Sequence, residues 1–326
     1  MLALPALSAF GLGFLLTLAL TPWVKGLATR LGALDRPDAR KVHKVPTPLW
    51  GGLGVSIAFA ASLITVLALF TPPQAVTTQQ WWSMGGLLVG GAALVALGMF
   101  DDRFGMAAKT KLLGQIGVAL ILVGCGVRVD YFSLPGIDGM IFLREWQAIL
   151  LSMLWLVGVT NAINLLDGLD GLVAGVSLSS AVIFLVVAAM NGEWVTMVAM
   201  AAVAGAALGF LRYNFNPATI FLGDTGSLFL GLMFAGWSIV GCLKTTATVA
   251  LAIPVMLILA VPILDTTFAI VRRGVTRQPI FKPDKGHLHH RLLAVGLSQR
   301  QAVCTIYAIN VAFGLAGLAM AVFLCP

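Results

Sequence analysis

The chain holds 13 acidic residues in 326, and nine of them stand at or near the ends of long uncharged apolar runs: Asp35, Asp38, Asp101, Asp102, Asp167, Asp170, Asp224, Asp265 and Asp284. All nine are aspartates. Carboxylates serving only as counterions would be scattered and would use glutamate as readily, whereas short, hard oxygen donors at a water boundary suit Mg²⁺ binding or proton transfer. The adjacent pair Asp101-Asp102 follows Leu97-Gly98-Met99-Phe100. Its mutual repulsion makes it a seat for a dication or a proton acceptor, and a solvated helix end closed by Arg103 is the other reading.

Asn161-Ala162-Ile163-Asn164-Leu165-Leu166-Asp167-Gly168-Leu169-Asp170-Gly171 puts two amides and two carboxylates at intervals of three. On a helix they form one polar stripe, too costly to face lipid, so it faces a cavity or partner helices; the two glycines suggest a broken helix end. Phe221-Leu222-Gly223-Asp224-Thr225-Gly226-Ser227 follows Asn214-Phe215-Asn216-Pro217 and opens an apolar run. Asp224 reads either as an ordinary N-cap or as a Mg²⁺ ligand beside a helix N-terminus that favours phosphate. Three of the four histidines fall in His287-Leu288-His289-His290, ringed by Lys282, Lys285 and Arg291. With no thiolate nearby, the cluster suits an anion better than zinc.

These groups are carried on an overwhelmingly apolar scaffold. The chain is 59% hydrophobic and 10% charged, with mean hydropathy +0.98, which excludes a water-soluble globule. Charge-free runs at 1–24, 45–100, 112–127, 146–166, 171–192, 194–211, 225–243, 245–264 and 301–326 predict ten spans, 45–100 supplying two across the turn signal Thr71-Pro72-Pro73-Gln74. The run 112–127 is the shortest. Residues 1–24 read as a retained first span, lacking a basic lead and a small-residue cleavage signal. All Lys and Arg except Arg128, Arg144 and Lys244 fall in the loops after odd-numbered spans. The positive-inside rule therefore predicts a cytoplasmic site face with both termini outside. The net charge of +7 becomes a cytoplasmic face suited to anionic lipid and phosphorylated substrates, with no nucleic acid implied.

The expectation is an all-α polytopic membrane protein with one domain over 1–326, its cytoplasmic loops near 25–50, 101–111, 165–171, 212–224 and 265–300. Four isolated cysteines indicate neither zinc nor disulfides. Gly51-Gly52-Leu53-Gly54 lacks a dinucleotide-fold context, and it joins the G-x-x-x-G pairs Gly86/Gly90 and Gly205/Gly209 as a signal of close helix approach, within or between chains.

Asp101-Asp102, NAINLLDGLDGL (161–172), NFNPATIFLGDTGS (214–227) and HLHH (287–290), in that order, resemble the polyprenyl-phosphate N-acetylhexosamine-1-phosphate transferases over nearly the whole chain. The His-x-His-His form is similar to bacterial undecaprenyl-phosphate N-acetylglucosamine-1-phosphate transferases; phospho-N-acetylmuramoyl-pentapeptide transferases carry three consecutive histidines. The resemblance implies transfer of N-acetylglucosamine-1-phosphate from UDP-N-acetylglucosamine to undecaprenyl phosphate at the bacterial inner membrane. Mg²⁺ is the implied cofactor, with Mn²⁺ as its substitute.

By likeness Asp224 and Asn164 would hold the metal, Asp101 would receive a proton from the lipid phosphate or orient it, and Asp102 would support Asp101. Asp167 and Asp170 would line the nucleotide pocket, with Asp170 and Asn214 near the uracil and Phe221 stacked on it. Lys41, Lys111, His287, His289 and His290 would grip phosphates or the sugar. A single displacement is expected, since the lipid phosphate is itself a nucleophile. The family has dimeric members, so a homodimer is open. Other N-acetylhexosamines or the muramoyl-pentapeptide donor are the alternatives in substrate. A secondary transporter is the alternative of another class, disfavoured because the aspartates sit at span ends rather than the midplane.

Overall fold

In a computed structural model the described residues are 3–37, 45–71, 76–132, 141–241, 252–276 and 286–324. They form helices α1 (Ala3–Leu31), α2 (Gly51–Phe70), α3 (Thr78–Phe104), α4 (Ala108–Gly124), α5 (Glu145–Leu166), α6 (Leu172–Met190), α7 (Trp194–Asn214), α8 (Gly223–Gly241), α9 (Ala252–Ile258), α10 (Ala260–Val275), α11 (Leu288–Ala294) and α12 (Gln299–Leu324). Two minimal antiparallel pairs join them: β1 (Leu34–Asp35) with β2 (Thr47–Pro48), and β3 (Tyr131–Phe132) with β4 (Ile141–Phe142).

Helix α8 is the axis of the bundle, for every residue in it except Asp224 is buried. It packs on α2, α3 and α5, while α7 lies between α1 and α6. Glycines let the backbones meet. A Cβ on Gly205 would lie 2.0 Å from the Phe10 carbonyl oxygen, and one on Gly209 2.6 Å from that of Phe14, so this pair seats α7 on α1. Gly86 and Gly90 do the same for α3 on Cys125 and Val118 at the far end of α4. Both G-x-x-x-G pairs are thus used inside the chain.

Leu7, Leu15, Leu69, Leu113, Phe268 and Phe323 are each more than 60% exposed, the outward apolar surface expected where lipid is the solvent. Seven of the described helices, α1, α2, α3, α5, α6, α7 and α12, are long and apolar enough to cross a membrane. This is a multi-pass membrane protein. The other three expected spans correspond to α4, of 17 residues, to α8, which opens with Gly-Asp-Thr-Gly-Ser, and to α9–α10.

Three local expectations change. The run 245–264 breaks at Leu259, where Pro262 has no N–H for the carbonyl one turn back, and α10 then continues to Val275. Asp265 accordingly lies within a helix, not at a span end. Asp101 and Asp102 occupy the last turn of α3, whose C-terminus is closed by Gly105 (φ +72) donating to the Asp101 carbonyl. The stripe 161/164/167/170 is only half helical, because α5 stops at Leu166 and Asp167 is its C-cap.

Candidate active site

The site is built around the N-terminus of α8. Asp102 reaches across from α3 and accepts from the backbone N–H of Asp224 (2.9 Å), the N–H of Thr225 (3.2 Å) and the Thr225 hydroxyl (2.6 Å). These bonds satisfy donors that a helix start leaves open. The contact demands glycine on both sides. A Cβ on Gly98 would sit 2.4 Å from the Thr225 nitrogen, one on Gly52 2.1 Å from the Gly226 Cα, and one on Gly223, at φ +73, 2.4 Å from the Asp102 carboxylate. The segment before α8 is further fixed to the start of α2: Gly51 and Gly52 donate to the Phe221 and Leu222 carbonyls at 3.0 and 2.9 Å, and Phe221 N–H donates to Pro48 at 2.8 Å.

With the helix end so held, Asp224 projects into a polar layer shared by four helices. Lys111, in the first turn of α4, bridges Asp224 and Asp101, the latter at 2.5 Å. Asn164 from α5 donates to Asp224 at 2.7 Å and to Ser227 at 2.8 Å. One turn deeper, Asn161 bonds Gln115. A cleft of about 470 Å³ opens over this layer, lined by Asp35, Asp101, Asp102, Asp167, Asp170 and Asp224 together with Asn214, Phe221, His290 and Gln299. Among the described residues six carboxylates surround the cavity and one ammonium, that of Lys111, bridges two of them, an arrangement that favours a cation. Asp167 is open to the cleft at its surface. Even so, desolvation, followed by the charges of Asp224, Asp102 and Asp170, pushes its carboxyl well above the usual range.

Of the residues singled out from sequence, Asp101, Asp102, Asp167, Asp170, Asp224, Asn214, Phe221 and His290 line the cleft, and Lys111 and Asn164 hold its floor. Lys41 lies outside the described residues. Several are committed differently from expectation. Both Asp102 oxygens serve the start of α8. The Asn214 amide is 4% exposed and ties the Gly171 N–H (3.0 Å) to the Ile220 carbonyl (3.0 Å), so it shapes the loops rather than presenting a free amide to a base. Asp170 accepts from Asn216 at 2.9 Å and from the Ala218 N–H at 3.0 Å through one oxygen.

His287 and His289 stand behind the cleft wall. Nδ1 of His287 bonds Asp265 at 2.9 Å, and a Cβ on Gly168 would lie 2.4 Å from Nε2 of His289. Burial, reinforced by His290 and His287, pulls the His289 pKa down to about 4, so this ring is neutral at pH 7. Sequence reasoning missed Gln299, which accepts from Asn216 at 2.8 Å, and gave Asp35 no role distinct from the other aspartates. Thr225 and Ser227, given no role of their own from the sequence, bond Asp102 and Asn164 respectively.

Asp101, Asp224 and the side-chain oxygen Oδ1 of Asn164, which makes no hydrogen bond among the described residues, offer hard oxygens suited to Mg²⁺. Among the described residues no three His, Cys, Asp or Glu side chains form a ligand cluster on their own. That is compatible with a Mg²⁺ site completed by substrate phosphate, since the ion usually takes one or two carboxylates and fills its shell with water and phosphate oxygens.

Residues 84–242 match the Glycosyl transferase family 4 model. The chain is 42% identical over 96% of its length, and over 84% of the relative's, to the probable undecaprenyl-phosphate N-acetylglucosaminyl 1-phosphate transferase of Bacillus subtilis. It is 40% identical, over 90% of itself and 76% of the relative, to the decaprenyl-phosphate N-acetylglucosaminephosphotransferase of Mycolicibacterium smegmatis. Identity is 32%, over 95% and 94%, to the phospho-N-acetylmuramoyl-pentapeptide-transferase of Desulforamulus reducens. With its motifs gathered at one cleft and its relatives spanning nearly the whole chain, this protein belongs to glycosyl transferase family 4, among the polyprenyl-phosphate N-acetylhexosamine-1-phosphate transferases.

Proposed function

We propose that the cleft transfers N-acetylglucosamine-1-phosphate from UDP-N-acetylglucosamine to undecaprenyl phosphate, yielding undecaprenyl-pyrophosphoryl-N-acetylglucosamine and UMP. The observation that carries this reading is the Asp101–Lys111–Asp224 bridge with Asn164 beneath a six-aspartate cleft. Greater identity to the N-acetylglucosamine relatives than to the muramoyl-pentapeptide relative supports the sugar.

An oxygen of the lipid phosphate bonds to the phosphorus that carries the sugar, and the bond from that phosphorus to the UMP oxygen breaks. Two anions must approach, so fixed positive charge and a dication have to offset their repulsion. Asp224 and Asn164, with Asp101 near, would hold Mg²⁺, or Mn²⁺ in its place; when bound it supplies charge neutralisation on the diphosphate. Lys111 keeps Asp101 and Asp224 together without a metal and is placed to meet phosphate oxygens. Asp101 receives a proton from the incoming lipid phosphate or orients it. Asp102 fixes the helix end that carries Asp224. Phe221 forms a wall on which a uracil ring can stack, Asp167 and Asp170 line the nucleotide side, and His290 faces the sugar and phosphates.

The distribution of Lys and Arg supports a cytoplasmic cleft. Ten crossings, counting α4, α8 and α9–α10, with both termini outside, agree with Asp35 just beyond α1 and Gln299 at the start of α12 both lining the cleft. Exposed Trp81, Trp82 and Trp146 at the opposite ends of α3 and α5 suit the other interface. The test is to incubate the purified protein with UDP-N-acetylglucosamine, undecaprenyl phosphate and Mg²⁺. One UMP per lipid-linked sugar is expected. No UMP, or preference for the UDP-muramoyl-pentapeptide donor, overturns the reading.

A further inference from the structure

Asp265 has no part in the cleft, yet the structure gives it a defined task. It sits in the second turn of α10, 9% exposed, beside exposed Leu264 and Phe268. A carboxylate there is costly unless its oxygens are fully engaged. They are: Oδ2 accepts from Nδ1 of His287 at 2.9 Å, and Oδ1 accepts from the Leu288 N–H at 2.8 Å. One side chain therefore holds both the imidazole and the first backbone donor of α11.

The consequence passes along the histidines. The His287 ring, 6% exposed, lies parallel to that of His289 with centroids 5.8 Å apart and planes 4° apart. His289, 2% exposed, is wedged against Gly168 and contacts His290 at 4.3 Å between centroids. Only His290 of the three lines the cleft. The stack has one end on Asp265 and the other at the cavity.

We propose that Asp265 is a positioning residue. By accepting from His287 and Leu288 it sets the Nδ1–H tautomer of His287 and the orientation of α11, and so delivers His290 to the substrate. The inference rests on the transferase reading of the cleft. It assigns a function to an aspartate outside the four segments that carry the resemblance, in a helix that packs on α5 and α12.

The experiment uses the full-length protein labelled with ¹⁵N-histidine, with Asp265→Ala, Asp265→Asn, His287→Ala and the Asp265→Ala/His287→Ala double variant. Imidazole ¹⁵N spectra of the wild type should contain an Nδ1–H tautomer that His287→Ala removes and Asp265→Ala converts to Nε2–H. Asp265→Ala should lower kcat/KM for UDP-N-acetylglucosamine by roughly ten- to a hundredfold, the loss of hydrogen bonds to a charged group, with KM rising more than kcat falls. Asp265→Asn, keeping one acceptor, should fall between it and wild type. The double variant should be no worse than the worse single one.

Wild-type kinetics in a folded Asp265→Ala or Asp265→Asn protein, an unchanged tautomer, or additive losses in the double variant overturn the proposal. A wild-type protein that releases no UMP overturns the transferase reading instead, while the tautomer spectrum still tests the Asp265–His287 link.

Discussion

Helices α3 and α4 run antiparallel with a polar cavity at each end, about 33 Å apart by helical rise between Gln79 and Asp101, close to the thickness of a bilayer core. The far cavity is the larger, about 680 Å³ against 470 Å³. Its lining includes Gln79, Trp82, Cys125, Arg128 and Asp130, and among the described residues its one carboxylate, Asp130, is paired with Arg128 at 2.5 Å. Among the described residues the near cavity gathers six carboxylates from separate parts of the chain, two of them bridged by Lys111. Volume does not distinguish a site from a gap between helix ends. Convergent like charge does, because folding would disperse such repulsion unless a ligand used it.

Breaking the near end should have the largest effect. Asp224→Asn and Asp101→Asn should each lower UMP release on the order of a thousandfold while circular dichroism stays unchanged, as expected when a group acting on developing phosphoryl charge is lost. Near wild-type turnover in Asp224→Asn would remove the metal assignment.

Acid should act on the histidine stack. His289 is neutral in the folded state down to about pH 4, below the ordinary value of 6.5. Between those values only the unfolded chain takes up that proton, so stability falls as pH drops through the window. The loss is on the order of 3 kcal/mol by pH 4, and thermal unfolding of His289→Gln should lack that component.

Within the cleft itself Asp102 and Asp224 differ in what they hold: Asp102 bonds the start of α8, while Asp224 faces Lys111 and Asn164. Asp102→Asn cannot accept all three bonds at the start of α8, so it should lose about 2 kcal/mol of stability as well as activity. Thermal melts separate it from Asp224→Asn, which should lose activity with little change in Tm. Equal melting of the two would contradict the division of labour.

The far end should respond least. Arg128→Ala should change UMP release less than about threefold, since a half-exposed ion pair is worth only ~0–1 kcal/mol. Glu193, between α6 and α7 at that same end, is raised to about 7 by burial. Its charged form is the disfavoured one, so Glu193→Gln should stabilise slightly at pH 8 and make no difference near pH 4. A loss of turnover in either variant would mean that the two ends are not independent.

The all-α membrane character and the cleft aspartates were readable because a carboxylate in an apolar chain is conspicuous wherever it falls. What those residues bond was not. Asp102 and Asn214 looked like active-site groups from their neighbours, yet their partners, Thr225 and the Gly171 and Ile220 backbone, are set by where α3, α7 and α8 cross. Gln299 carries no local signal at the start of α12, and Asp35 reaches the cleft only because β1 pairs with β2. The ninth expected span, 245–264, reads as one uninterrupted run, and nothing in that reading marks the break at Leu259. That α10 resumes beyond it and buries Asp265 against His287 depends on packing no single segment contains.

Whether these carboxylates trap a divalent ion together with a sugar diphosphate is tested most directly by electron paramagnetic resonance of Mn²⁺ titrated into the purified protein with UDP-N-acetylglucosamine. We predict one tightly bound ion per chain that requires the nucleotide sugar, is displaced by Mg²⁺ and is lost in Asp224→Asn. Binding that is indifferent to the nucleotide sugar, or unchanged in Asp224→Asn, would contradict the account.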